Sequence, residues 1–119
     1  MKPDPKDGGY LWDMLDTARE TRELVHGFTL EALLSDARTR RALERTLEVL
    51  GEAANRVSAP TREALARVPW VKIIGQRNII AHGYAVLDHS RLFRTAKDDL
   101  PGLIVELERV VKKLERGLK

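Results

Sequence analysis

Four polar side chains interrupt a segment otherwise built like a core helix: Arg77, Asn78, His82 and Tyr84, within GQRNIIAHGY from Gly75 to Tyr84. An imidazole, with an unperturbed pKa near ~6.5, suits proton transfer at neutral pH. A guanidinium keeps its charge and presents a planar fork of donors that matches phosphoryl oxygens. The chemistry these types suggest is acid–base work on a phosphoryl group. Plainer roles exist for each residue. His82 could cap a helix or sit on the surface, Arg77 could be a buried ion-pair partner or snorkel outward, and Tyr84 could be ordinary packing.

At ~100° per residue, Trp70, Ile73, Ile74, Ile80, Ala81 and Tyr84 fall on one side of the helix that would carry them. Arg77 points to the middle of that side, which is unfavourable unless its charge is paired or meets a wet cleft. His82 lies ~140° around and ~7.5 Å further along the axis, on a flank shared with Val71, Gly75 and Asn78. Asn78 is one turn before His82, so its amide is placed to orient the ring. Gly75 would allow another backbone to approach that flank. Two copies meeting there across a two-fold axis would gather two arginines and two histidines around one cleft, since an isologous interface presents the same patch twice.

The elements that must position this set are helical. Pro69 suits a helix start, and the spacing predicts a helix from Trp70 to about Ala81, stopped by Gly83. Before it, apolar positions predict a first helix from Tyr10 towards Gly27 and a short one capped by Thr29. A long helix follows from about Thr39 to Val57, with the stripe Leu43, Leu47, Leu50, Ala54 and Val57, and TREALARV adds a turn or two. Asp88 can cap a last segment, in which Pro101 predicts a kink or break, with Asp98 and Asp99 placed to cap a restart. Beyond it, Leu103, Ile104, Leu107, Val110, Val111, Leu114 and Leu118 keep one apolar face. Trp12 and Trp70 are most simply core. The expectation is an all-α, up-and-down bundle of four to five helices, with residues 1–9 a loose leader and 10–119 one domain.

Composition narrows the function classes. The 119 residues are 43% hydrophobic and 33% charged, with a net charge of +3 and no cysteine. That excludes disulfides, thiolate metal sites and cysteine nucleophiles. No run approaches the ~20 apolar residues of a membrane span and no secretion signal opens the chain, so a cytoplasmic protein is expected. His26, His82 and His89 lack metal-ligand spacing, so neither a metal nor a cofactor is expected. Asp13, Asp16 and Glu20 share a solvated face. Arg38, Arg40, Arg41 and Arg45, interleaved with Glu44 and Glu48, read as surface pairing more than as a polyanion groove. Glu52 and Asn55, opposite their helix's core stripe, either line the dimer cleft or meet water.

The spacing Arg77, four residues, His82, one residue, Tyr84, inside PWVKIIGQRNIIAHGY, resembles the HepT-like toxins of the HEPN superfamily. LEVLGEAANRVS (47–58) and DDLPGLIVEL (98–107) carry the likeness along nearly the whole chain. The resemblance implies a homodimeric helical bundle acting as a metal-independent endoribonuclease toxin in a type VII-like toxin–antitoxin pair. Its partner would be an MntA-type minimal nucleotidyltransferase antitoxin. It further implies Arg77 and His82 as the catalytic pair, Asn78 as part of the site, and Tyr84 as the acceptor of adenylyl groups that silence the nuclease. RNA would be the substrate, with its own 2′-hydroxyl as nucleophile. The competing function is a catalytically idle helical dimer that docks a nucleotidyltransferase or holds a nucleotide. A purely structural bundle explains the stripes but not Arg77.

Overall fold

The computed structural model describes residues 5–82 and 87–117, and all regular structure among them is helical. A 3-10 turn at Pro5–Asp7 leads into α1 (Gly8–Leu24), followed by α2 (Leu30–Leu34), α3 (Ala37–Arg56) and α4 (Ala59–Ala64). Then come α5 (Trp70–Ala81), α6 (His89–Arg94), a π turn (Thr95–Asp99) and α7 (Leu100–Gly117). Four long stretches, α1, α3, α5 and α6–α7, make the all-α bundle expected from the apolar spacing.

The core is the meeting of the apolar stripes. Leu11, Met14, Leu15 and Ala18 from α1 pack with Leu43, Leu47, Leu50 and Ala54 from α3, and with Leu103, Ile104, Leu107, Val110 and Val111 from α7. Burying each large aliphatic side chain contributes about 1.5–3 kcal/mol, so these stripes hold the helices together. Local signals set the ends. Thr29 Oγ1 accepts from Ala32 N–H at 3.1 Å, and Asp88 Oδ1 accepts from Arg91 N–H at 3.2 Å. Gly27 takes a positive φ of 78°, the left-handed turn that lets the chain leave α1.

Several expectations are corrected. The chain is not a loose leader up to Gly9, because Asp7 is buried and α1 opens at Gly8. The Asp7 carboxylate accepts Ser58 N–H at 3.1 Å, Ser58 Oγ–H at 2.6 Å and Thr61 Oγ1–H at 2.5 Å, tying the entry of α1 to the corner between α3 and α4. The long helix begins at Ala37, since Asp36 caps it through Thr39 N–H at 3.2 Å. Trp12 is 46% exposed rather than core, with the Arg19 guanidinium 6.0 Å from its ring centroid.

The chain does not break at Pro101. A proline ring collides with the carbonyl four residues back, here Lys97, and Lys97 lies in the π turn that widens the ladder there. Arg94 and Leu100 keep right-handed helical dihedrals on either side. Asp99 caps no restart; it reaches across to Lys72 Nζ at 2.6 Å. Of the apolar face proposed for α7, Leu118 lies outside the described residues, and the rest is buried or, at Leu114, half-buried.

Candidate active site

α5 carries the candidate site, and α3 positions α5. The helix opens at Trp70, whose indole N–H donates to Leu65 O at 3.1 Å, and buries Trp70 and Ile73 against the bundle. Arg77 follows one turn after Ile73 on the same side. There it meets Gly51 of α3 so closely that a Cβ built on Gly51 would fall 2.1 Å from Arg77 Cβ and 3.1 Å from Ile73 O. Only a residue without a side chain fits. Arg77 is therefore seated by its stem on α3, as its place in the apolar stripe implied.

The head of Arg77 is bound differently from the ion-pair alternative. Arg77 Nη1 donates to Asn78 Oδ1 at 2.9 Å, while its buried Nε has no hydrogen-bond partner. Among the described residues no carboxylate pairs with this guanidinium, whereas Arg19, Arg45, Lys72, His89 and Arg109 each meet one. Asn78 accepts from Arg77 on its side-chain oxygen, which leaves its amide N–H groups for something else. The expectation that this amide orients His82 is not met; Asn78 contributes its backbone carbonyl, which accepts His82 N–H at 3.0 Å. His82 closes α5 at its C-terminal end as an exposed side chain. Tyr84 and Gly83 lie outside the described residues.

Within the chain no backbone approaches Gly75: a Cβ there would meet nothing within 4 Å. The close approach belongs to Gly51, which sequence reasoning passed over. Its signal was a glycine inside a strongly amphipathic helix, where it costs about 1 kcal/mol relative to alanine and so asks for a packing reason. Gly75 instead lies on an open flank between Val71, 89% exposed, and Ile79, 59% exposed. That flank borders a cleft of about 670 Å³ against α6 and the π turn, crossed by Lys72–Asp99 and by Gln76 Nε2–H to Thr95 Oγ1 at 3.0 Å.

Neither Glu52 nor Asn55 bonds to Arg77. Glu52 stands 3.8 Å from Arg45 and borders a recess of about 200 Å³ between α1 and α3 with Tyr10, Asp13, Asp16 and Arg56. Asn55 is exposed, and its carbonyl accepts from Arg62 Nη2 at 2.8 Å. The arginine run is surface pairing where it is bonded through side chains on α3: Arg45 to Glu48 at 3.1 Å. Glu44 serves elsewhere, with its carboxylate 2.8 Å from His89 Nε2.

The model of the family described as Ribonuclease HepT-like matches residues 14–110, a span that holds Gly51, Arg77, Asn78, His82 and Tyr84. The chain belongs to the HepT-like ribonuclease family. As a HepT-like protein it is an enzyme, an endoribonuclease. It is similar to the "Probable ribonuclease HepT" of Thermococcus cleftensis, 30% identical over 112 residues that cover 94% of this chain and 100% of that one. It is also similar to two proteins whose names provisionally assign them as RNases. One, from Methanocaldococcus jannaschii, is 32% identical over 83% of this chain and 91% of its own. The other, from Caldanaerobacter subterraneus, is 31% identical over 88% and 90% respectively. No solved structure matches the chain. Among the described residues no helix of this HepT-like protein is long and apolar enough to cross a membrane.

Proposed function

We propose that this HepT-like ribonuclease cleaves RNA without a metal ion, through a site built from Arg77 and His82 of two copies of the chain. The observation that carries the proposal is the un-neutralised Arg77 guanidinium, seated on Gly51 and bonded to Asn78. A fixed cation with no carboxylate partner is what a phosphodiester needs.

In the reaction, the 2′-hydroxyl beside the scissile phosphate gives its proton to one His82 ring. The 2′-oxygen bonds to phosphorus, and the bond from phosphorus to the 5′-oxygen breaks. A second His82, protonated, gives its proton to that leaving oxygen. Arg77 holds the non-bridging oxygens as their charge grows, and the Asn78 amide donates alongside it. The products are a 2′,3′-cyclic phosphate and a 5′-hydroxyl.

The dimer proposal draws support from the flank of α5. Val71, Gly75 and Ile79 recur every four residues, and His82 follows ~20° from Gly75 on an ideal helix. An exposed apolar stripe open at a glycine suits the close packing of a second α5, and would bring the His82 side chains of both copies towards one seam. Within the same proposal the protein is the cytoplasmic toxin of a type VII-like pair, and an MntA-type nucleotidyltransferase silences it by adenylylating Tyr84. A phosphate-bearing group beside Arg77 would neutralise and fill the substrate pocket.

Expression in a bacterial host tests this reading. The native chain should arrest growth, and Arg77→Ala or His82→Ala should relieve the arrest while folding normally. Equal effects from native and substituted chains would instead indicate a protein that acts by binding.

A further inference from the structure

α5 meets different surroundings around its circumference. Ile73 and Arg77 face α3, while Lys72 and Gln76 bond to Asp99 and Thr95 on the π turn. Between these sides runs the open ridge of Asn78, His82 and Gly75, which lie within ~60° of one another on an ideal helix. The bond from His82 N–H to Asn78 O keeps the His82 backbone on that helical track. Lys72 lies ~60° and Gln76 ~100° beyond Gly75, on the side of the ridge away from Arg77. A polynucleotide held at Arg77 and Asn78 that crosses the ridge at His82 therefore comes down into the cleft of about 670 Å³ beside Gln76.

The lining of the cleft is part apolar and part polar. Ile79 and Leu92 supply apolar wall. Lys72 is paired with Asp99 at 2.6 Å, and Asp88 is engaged as the cap of α6. Arg91, Arg94 and Asp98 also line it, and among the described residues their side chains form no hydrogen bond or ion pair; Arg94 has only a through-space attraction to Asp88.

Gln76 is held in one orientation. Thr95 Oγ1–H donates to Arg91 O at 3.1 Å, so its oxygen is left to accept from Gln76 Nε2–H at 3.0 Å. A reversed amide would set Oε1 against Oγ1 with no proton between them. Gln76 Oε1 and the Asp98 carboxylate are thus acceptors that lack donors among the described residues. A nucleobase with an exocyclic amine supplies such donors, and uracil has no amine.

We propose that this cleft is a subsite for a nucleotide flanking the cleaved bond, with Arg91 and Arg94 on its phosphate and Gln76 and Asp98 on an amino-bearing base. The proposal rests on the ribonuclease site proposed above. Every nucleotide offers the phosphate, so selectivity falls to the two acceptors, which a base without an amine leaves unpaired. Thr95 is a positioning residue that acts through Gln76.

The test uses uridine oligoribonucleotides carrying one adenosine, cytidine or guanosine, and uridine alone, cleaved by the purified full chain with the cuts mapped. The native chain should cut at a fixed offset from the amino-bearing base, with kcat/KM about tenfold or more above uridine alone. Gln76→Ala and Asp98→Ala should each shrink that ratio, and Thr95→Val should shrink it while leaving Gln76 in place. Arg91→Gln and Arg94→Gln should lower kcat/KM equally on all the oligomers, and each should flatten the dependence of log kcat/KM on log salt by about 0.7. Binding of the same oligomers to His82→Ala protein, read by fluorescence anisotropy, should show the same Gln76-dependent preference without cleavage.

The subsite is refuted if the native chain cuts uridine alone as fast as the others, if Gln76→Ala keeps the native ratio, or if the two arginine changes leave the salt dependence unaltered. It is also refuted if those changes alter the mass in light scattering, which would put the cleft against a second copy. Arg77→Ala and His82→Ala are assayed for cleavage beside them. If these retain native activity, the site reading itself has failed and the subsite falls with it. If they are inactive while Gln76→Ala keeps the native ratio, only the subsite is refuted.

Discussion

Replacing Gly51 by alanine puts the seating of Arg77 to a quantitative test. The added Cβ would lie 2.1 Å from Arg77 Cβ, and ordinary contact begins at 3.4 Å, so the two must separate by about 1.3 Å. The obstructing atom is the first carbon of Arg77, fixed to the α5 backbone, and Ile73 O at 3.1 Å closes the other direction. No rotamer change relieves the clash; α5 must slide or tilt away from α3. Alanine gains about 0.5–1 kcal/mol over glycine in a helix interior, while overpacking a close contact costs about 1–3 kcal/mol. The net expectation is destabilisation of about 1–2 kcal/mol, a fall in Tm of roughly 4–8 °C at about 4 °C per kcal/mol for a chain of this size. Catalysis should suffer more, since misplacing a catalytic group by 1 Å costs on the order of 100-fold in rate. Thermal unfolding and RNA cleavage at a temperature where both proteins are folded give the two numbers. A Gly51→Ala protein that melts higher than native and cleaves RNA at the native rate would refute the close approach and the seat together.

Arg77→Lys keeps the stem against Gly51 and the charge but loses the planar fork, so kcat should fall on the order of 100-fold with Tm nearly unchanged. Ile79→Glu places a charge on the open flank of α5, where a surface change alters chain stability by only about 0.5 kcal/mol; light scattering should report a halved mass, and cleavage should be lost with it. Burial opposes the charged form of Asp7, but the bonds from Ser58 and Thr61 and the nearby Arg62 outweigh it and hold the carboxyl below the usual carboxylate range. A lowered folded value means Asp7 contributes stability that is full above about pH 4 and is lost as the pH falls from there through the lower, folded-state value. Asp7→Asn should therefore lower neutral-pH stability by about 1–3 kcal/mol and flatten the acid limb of a Tm-versus-pH curve, and an unchanged acid limb would refute the role.

The bundle was legible because its stripes are long and regular. Leu43, Leu47 and Leu50, or Leu103, Leu107 and Val110, repeat at helical intervals that admit one buried face. Arg77 was legible for the same reason, as a charge in the wrong place. What escaped was contact between elements. Nothing local in LEVLGEAANR says that Gly51 faces Arg77, because the partner lies 26 residues on and is set by how α3 and α5 pack. Asp7 escaped likewise: a carboxylate among prolines and glycines looks like leader until the corner at Ser58 and Thr61 folds against it. Pro101 misled because a proline breaks an ideal ladder, whereas the π turn before it loosens the ladder without ending the helix. Asn78 and His82 were correctly read as neighbours, yet through the wrong atoms, since the arginine next door had first claim on the amide oxygen.

The central claim is that Arg77 and His82 carry out 2′-hydroxyl attack on RNA, and end-group analysis addresses it most directly. Purified chain incubated with a defined RNA in the presence of EDTA should yield fragments ending in 2′,3′-cyclic phosphate and beginning with 5′-hydroxyl, and Arg77→Ala and His82→Ala should yield none. Fragments with 3′-hydroxyl and 5′-phosphate ends, or cleavage that persists in His82→Ala, would contradict it.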